Sequence, residues 1–336
     1  MNASPVDPDV PLLLPGEEEP TPLVDAFGVG ILDAHHVRSG VLACHVLSSG
    51  RDLALVDVGP NPSVPHVLAG LRRLGLDPAA VTHLFVTHVH LDHAGGVGRI
   101  LPELPRARVY VHPAGARHLA HPARLEQATR EVYGDALYER YFGPLVPVPE
   151  ERLVSVADDE RLPFGTTTLR VLHTLGHARH HYCLHDEEAG TLFAGDNFGI
   201  AYRAFVTERG SFAFPSTTPT QFDPEEARAS LERLLALAPR ALYVAHYSRI
   251  DEPERVAGAL AADLEAYVTL AHENASEEAG PARVARLRTA LAAHTRTRLR
   301  AHRCALAEET IDALLAADLE LNALGLEHWL ARRAPA

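Results

Sequence analysis

The sequence predicts an α+β fold in which two layers of sheet are covered by helices, followed by an all-helical C-terminal extension. Three observations point there. Short β-type runs broken by turn residues recur between about residues 27 and 250. Amphipathic helical stretches are interleaved with them. Beyond residue 252 the β signal vanishes and Ala/Leu/Arg-rich helical segments follow. Residues 1–24 are thus expected to be a poorly ordered, Pro/Glu-rich leader, 25–251 the mixed domain, and 252–336 the helical extension.

The mixed domain opens with three β runs, "VGILDAHHV", "VLACHVLSSG" and "LALVDVGPNP", the second and third joined as a hairpin through Gly50-Arg51-Asp52. In "SVPHVLAGLRRLGL", Val64, Val67, Leu68, Leu71 and Leu74 share a helical face and Gly75 ends the helix. "VTHLFVTHVH" is a buried strand, after which a helix is expected from near Ala94 to Leu101. "ARVYVHP" is another strand, followed by a helical stretch from about Pro113 to Tyr141 that is interrupted at His121-Pro122. Four short β runs come next, in "RLVSVADDE", "TLRVLHT", "HHYCLHD" and "TLFAGD". "DPEEARASLERLLAL" carries a complete helix start, with Asp223 as N-cap, Pro224 at N1 and glutamates in the first turn. "ALYVAHYS" closes the domain as a buried strand.

Composition excludes several function classes. The net charge is −13, which argues against a broad surface for nucleic acid, whose binding depends on neutralising phosphates with Lys and Arg. The chain contains no lysine, so lysine Schiff-base and P-loop chemistry are excluded. The N-terminal stretch has no basic region and only a three-leucine apolar core, unlike a signal peptide. No apolar run approaches the roughly 20 residues a membrane span needs. Cys44, Cys183 and Cys304 are far apart and odd in number, which fits a reducing cytoplasm rather than a disulfide framework or zinc knuckle.

The chemistry concentrates in "THVHLDHAGG", where His88, His90, Asp92 and His93 fall within six positions directly after an apolar run. Alternate residues of an extended segment point the same way, so His88 and His90 can converge on one ion while Asp92 and His93, after the turn, face a second. Imidazole and carboxylate without a nearby thiolate suit zinc, iron or manganese. An isolated H-x-H is ordinarily a pair of surface histidines. Burying four such groups at a strand end without a metal would leave several of them short of partners. Gly95-Gly96 is expected to let the backbone bend tightly there.

These residues resemble the signature of the metallo-β-lactamase fold superfamily, T-H-x-H-x-D-H-x-G-G. The resemblance implies a four-layer αββα sandwich with a dinuclear metal site at one edge of its two sheets. It also implies three further ligands, each at the end of an expected strand. They are His177 after Gly176 in "TLGHARHH", Asp196 after Gly195 in "LFAGDNFG", and His246 in "YVAHYS". The implied ligand set is therefore His88, His90, Asp92, His93, His177, Asp196 and His246, with Asp196 bridging two divalent ions. Zinc is the first expectation, with iron and manganese as alternatives. "LVDVG" matches the family's L-I-D-T-G turn, and Asp57 there is expected to be a buried acceptor supporting a ligand. The match spans about residues 27 to 250.

The implied reaction is hydrolysis by a metal-bridging hydroxide, with one cation polarising the substrate oxygen. Asp92 is the candidate catalytic residue, orienting the nucleophile and accepting its proton. Asp196 in place of Cys disfavours β-lactam hydrolysis, and His90 in place of Glu disfavours flavo-diiron oxygen reduction. The ligand set resembles that of hydroxyacylglutathione hydrolases of the glyoxalase II type, lactonases and phosphodiesterases. The leading expectation is a metal-dependent hydrolase of a small thioester, lactone or other ester. The alternatives are an iron-dependent oxygenase of the persulfide dioxygenase type, a phosphodiesterase, and a largely non-catalytic partner-binding protein.

His181 is expected to orient a ligand or the substrate, or else to be a packed or solvent-facing histidine. Tyr247 is expected to donate to a substrate carbonyl or else to cap the core. Further substrate contacts are expected from the long loop at 198–222. In that loop Tyr202, Arg203, Phe205, Phe212 and Phe214 would wall a pocket, with Arg203 offered to a carboxylate; ordinary loop packing is the alternative for each of them. The C-terminal helices are expected to lid the site and to contribute to a homodimer contact. The expected partner is a small-molecule substrate, with neither nucleic acid nor membrane.

Overall fold

The computed structural model describes residues 21–275 and 279–333. Most of the expected leader lies outside the described residues, but its end does not: Leu23–Val24 forms a first strand, β1, paired with the next.

One sheet of seven strands holds β1 with β2 (Gly30–Asp33), β3 (Ala43–Ser49), β4 (Asp52–Val56), β5 (His83–Val86), β6 (Arg108–Val111) and β7 (Leu153–Ser155), in sequence order. The first four are antiparallel neighbours, and β4 to β7 run parallel. The second sheet has six strands: β8 (Arg161–Phe164), β9 (Thr167–His173), β10 (Tyr182–Asp186), β11 (Thr191–Phe193), β12 (Ala241–Val244) and β13 (Ser248–Ile250). The helices of the domain are α1 (Val64–Arg73), α2 (Leu91–Ala94), α3 (Val97–Ile100), α4 (Pro113–Ala120), α5 (Ala123–Tyr133), α6 (Asp135–Tyr141) and α7 (Pro224–Leu235). The extension is α8 (Pro253–Glu273), α9 (Pro281–Ala301) and α10 (Glu308–Arg333).

The sheets stack because their strands are apolar on both faces, with a period of two deciding which layer each residue joins. In β4, Leu53 and Leu55 pack outward with Val67, Leu68 and Leu71 of α1, while Ala54 and Val56 pack inward against the other sheet. In β12, Ala241 and Tyr243 face inward, while Leu242 and Val244 meet Leu231 and Leu234 of α7. Phe85, Phe164, Phe193 and Tyr243 fill the layer between the sheets. This is the four-layer αββα sandwich, with a helical region after it. Among the described residues no helix is long and apolar enough to cross a membrane.

Several local expectations are corrected. The β run expected to reach Val37 ends at Asp33. The helix expected from Ala94 opens earlier, at Leu91, so Asp92 and His93 lie within α2. It breaks at Gly95-Gly96, where both residues keep right-handed helical dihedrals. What glycine provides there is room: a Cβ on Gly96 would lie 2.9 Å from the carbonyl oxygens of Gly59 and Pro60. The stretch from Pro113 breaks a second time, at Gly134, whose φ is 77°. Strands β8 and β13 were not anticipated. "RLPF" contains a proline that reads as a breaker, and it forms an edge strand, where a missing N–H costs no ladder bond.

The aromatic loop residues take the packing role. Phe205, Phe212 and Phe214 are buried in a cluster with Tyr267, Leu287, Leu291, Ile311, Leu315 and Trp329 of the extension. They join the three C-terminal helices to the sandwich of the same chain. Each fully buried side chain of this kind contributes about 1.5–3 kcal/mol.

Candidate metal centre

Strand β5 delivers the first four side chains. Beyond Val86 the chain stays extended, so His88 and His90 project to one side while Val89 between them is buried in the outer core. The turn into α2 then swings Asp92 and His93 to the other side. His177 follows β9, Asp196 follows β11 and His246 follows β12. These three reach the same rim because their strands end along one edge of the second sheet.

The structure brings all seven together. His88 Nε2, His90 Nδ1 and His177 Nε2 lie 3.0–3.2 Å from one another. Asp92, His93 and His246 form a second group, with His246 Nε2 3.3 Å and His93 Nε2 3.5 Å from Asp92 Oδ2. Asp196 sits between them: Oδ1 is 3.3 Å from His93 Nε2, and Oδ2 is 3.6 Å from His177 Nε2.

Whether this arrangement fits cations is decided by where the imidazole protons go. His177 Nδ1 donates to the carbonyl of Ser216 at 3.2 Å, and His246 Nδ1 donates to that of Val41 at 2.9 Å. His93 Nδ1 donates to Asp57 Oδ2 at 3.0 Å. The Thr87 hydroxyl donates to the same Asp57 oxygen at 2.8 Å, leaving its own oxygen to accept from His88 Nδ1 at 3.1 Å. In the neutral rings each outward nitrogen therefore carries the proton, and each inward nitrogen presents a lone pair. Lone pairs facing one another and two carboxylates at such distances need a cation between them. His93 Nε2 and Asp196 Oδ1 are both buried without a hydrogen-bond partner among the described residues. The donor set fits two divalent ions, the first held by His88, His90 and His177, the second by Asp92, His93 and His246, with Asp196 reaching both.

The charge states agree. Burial holds the His88 and His90 imidazoles well below their ordinary range, helped by neighbouring histidines. Burial also opposes a charge on His93, but Asp196, Asp92 and Asp57 outweigh it and raise that imidazole well above its usual value. Burial penalises the Asp92 and Asp196 carboxylates, yet His93 and His246 hold both below the usual carboxylate range. The site favours positive charge, which two divalent cations would supply.

The remaining sequence candidates fall in different places. Asp57 is buried, as expected, and accepts from Thr87 N, Thr87 Oγ1 and His93 Nδ1. His181 lies fully buried behind the site, where its Nε2 accepts the Asp196 N–H at 3.2 Å, so it supports the Asp196 turn and does not meet a substrate. Tyr202 lines the cleft beside the metal-binding residues. Arg203 does not: its side chain is exposed on a short 3₁₀ turn and reaches the Tyr247 hydroxyl. Tyr247 is buried, and burial pushes its phenol up, so neither residue is offered to a ligand above the cations.

Two adjoining clefts open at the cluster, and Asp92, Tyr133, Phe142, Asp196, Thr218 and Leu321 line both. One is walled by α5 through Leu125, Ala128 and Val132. The other lies under α10 and is lined mostly by apolar residues, among which His36, Arg38 and Asp318 stand out as polar groups. Helix α10 also supports the site from above. Asn322 Nδ2 donates to the Pro215 carbonyl at 2.9 Å, and Thr217 N donates to Asn322 Oδ1 at 2.6 Å, so both neighbours of Ser216 are tied to the helix. Gly325 permits this approach, since a Cβ there would come within 1.4 Å of the Thr217 carbonyl oxygen.

Arg38, Asp318 and Asn322 were not found from the sequence. Asp318 and Asn322 sit in an Ala/Leu-rich helix whose pattern marks only a packed face. Arg38 lay beside an expected β run, although Asp33, Ser39 and Gly40 are the turn residues that could have revealed a loop.

The profile of the Metallo-beta-lactamase superfamily matches residues 39–246, and the chain belongs to that superfamily. Among curated relatives, the chain is 29% identical over 170 residues to the metallo-beta-lactamase fold-containing protein ST1585 of Sulfurisphaera tokodaii, covering 49% of this chain and 59% of that protein. It is 33% identical over 164 residues to the acyl-coenzyme A thioesterase MBLAC2 of Bos taurus, covering 45% of this chain and 56% of that protein. The chain thus spans less than two thirds of either relative. Among solved structures, the metallo-beta-lactamase family protein TTHA1429 from Thermus thermophilus superposes with a TM-score of 0.58 at 22% identity, covering 91% of this chain and 90% of that chain.

Proposed function

We propose that the protein is a metal-dependent hydrolase of a small ester, with an acyl thioester as the first substrate class to test. One observation carries this reading: the inward nitrogens of His88, His93, His177 and His246 are lone pairs, and they converge with His90 and two carboxylates on two adjacent positions. When bound, a pair of divalent cations, zinc first, lowers the pKa of a shared water towards neutrality and polarises a carbonyl oxygen.

The protein's own residues do the rest. Asp92, whose side chain is 26% exposed, is the carboxylate facing the clefts, and its position suits it to orient a water and hold its proton. Asp57 and the Ser216 and Val41 carbonyls keep the imidazoles turned inward. The α5 wall offers an apolar surface to an acyl chain, and α10 lines the adjoining cleft. The thioesterase name of the MBLAC2 relative supports the bond type.

The experiment is metal analysis of protein purified without added metal, followed by turnover of thioesters, lactones and phosphodiesters after zinc, manganese or iron reconstitution. Two metals per chain with thioester or lactone turnover is the expected result. A single iron with oxygen uptake on a persulfide would overturn it, as would turnover confined to phosphodiesters.

A further inference from the structure

The loop between β2 and β3 is built to hold one cationic side chain under α10. Asp33 pins it: Oδ1 accepts the His35 N–H at 2.9 Å, and Oδ2 accepts the Gly40 N–H at 3.0 Å and the Ser39 hydroxyl. Ala34 N donates to the Leu42 carbonyl at 2.9 Å and closes the loop. Within it His35 and Val37 hold left-handed dihedrals, with φ of 52° and 60°. Such strain persists where the surroundings over-determine a conformation, and it clusters at ligand clamps.

What the loop presents is Arg38. The residue is only 5% exposed, yet among the described residues its guanidinium makes a single hydrogen bond, from Nη1 to the adjacent Ser39 carbonyl at 3.1 Å. No carboxylate among the described residues comes within ion-pairing distance. Its guanidinium carbon stands 5.6 Å from the centre of the Tyr202 ring, and the Tyr202 hydroxyl donates to Asp318 at 3.1 Å. A guanidinium has five N–H donors in a planar fork, and those that Arg38 leaves unpaired are not buried but open to the cleft, where an oxyanion can meet them. Arg38 lines the same cleft as Asp92, Asp196 and His246.

We infer that Arg38 recognises an oxyanion, a carboxylate or a phosphate, at the end of the substrate remote from the acyl chain. The Arg38 cleft adjoins the one walled by α5, and the pair of clefts suits a two-armed substrate. The acyl chain lies along α5, the scissile carbonyl over the cluster, and the anionic end under α10. Asp318 restricts the choice further, because its carboxylate beside the arm accepts an N–H or O–H that the anionic group carries nearby. The inference rests on the hydrolase reading for its kinetic test, and a binding measurement separates the two.

Three octanoyl thioesters decide it, those of N-(mercaptoacetyl)glycine, phosphopantetheine and neutral N-acetylcysteamine, assayed with the zinc-loaded full chain. At least one anionic thioester should exceed the neutral one in kcat/KM by about ten- to a hundredfold, and whichever wins tells carboxylate from phosphate. Arg38→Gln should collapse that ratio towards one, and Arg38→Lys, which keeps the charge but not the fork, should retain part of it. No preference in the wild type, or a ratio untouched by Arg38→Gln, overturns the assignment. So does an equal loss on all three thioesters, which would mark a merely structural role. If none is hydrolysed, the hydrolase reading fails, and the same compounds become direct probes for calorimetry. Tighter binding of an anionic one, lost in Arg38→Gln, then upholds the site, and equal binding by both proteins removes it.

Discussion

The two halves of the sandwich supply the metal centre in different ways. The first sheet provides His88, His90, Asp92 and His93 as one block, oriented from behind by Asp57, which holds Thr87 and His93 through side-chain hydrogen bonds. The second sheet provides His177, Asp196 and His246 one at a time, each from a separate strand end. Two of these are oriented by backbone carbonyls, and one of those carbonyls, that of Ser216, is held between residues tied to α10. A block is stiff by local geometry. Scattered ligands are stiff only if distant parts of the chain hold them.

The sharpest way to break this comparison is at the residue between the groups. Asp196→Ala should lower turnover by more than the roughly 100-fold typical of losing a supporting residue, and should reduce bound metal below two per chain by elemental analysis. Retention of both metals with normal turnover would remove Asp196 from the centre.

Asp57→Ala tests the block. It leaves the donors of Thr87 and His93 unsatisfied, with an expected cost of about 1–3 kcal/mol in stability and about 10–100-fold in metal affinity, read by denaturation and competition with a chelator. Asn322→Ala tests the scattered half from about a hundred residues away in sequence. Its loss of bonds to Pro215 and Thr217 should cost about 1–2 kcal/mol and weaken metal binding by about tenfold. An Asn322→Ala protein with unchanged metal affinity would show that α10 supports the fold without supporting the ligands.

At neutral pH the smallest effect comes from a buried histidine outside both groups. His45 packs edge-on against Phe193 and Tyr243 between the sheets, and burial pulls its imidazole down to about 3, with Asp25 opposing weakly. The folded state keeps this ring neutral while the unfolded chain protonates it near 6.5. Stability is therefore fully present above pH 6.5 and falls by about 1 kcal/mol per pH unit below it, down to about pH 3. In metal-free protein, His45→Phe should flatten the acid limb of the stability curve by that slope. An unchanged slope would place the acid lability elsewhere.

The same contrast explains what the sequence could reveal. The His88–His93 block was legible because its ligands are contiguous and its strand is apolar on both faces. His177, Asp196 and His246 were legible only through flanking motifs, because nothing local says that three strand ends share a rim. Asp223 was read as an N-cap from its own turn, and its side chain accepts from Glu225 N and Glu226 N. Arg38 and Asn322 were not legible. Their roles depend on contacts with residues far off in sequence, and their neighbourhoods resemble an ordinary strand end and an ordinary packed helix. The phenylalanines at 205, 212 and 214 stayed ambiguous for the converse reason: an apolar loop beside a site looks the same whether it faces a ligand or, as here, a helix added later in the chain.

That later helix carries a consequence for biosynthesis. Asn322 and Gly325 leave the ribosome after every strand and every ligand they brace, so the Ser216 carbonyl gains its support only when translation has passed them. Until then His177 lacks its backstop. A nascent sandwich can close its sheets early, but the candidate centre takes its last bracing from a segment that contributes none of its seven side chains.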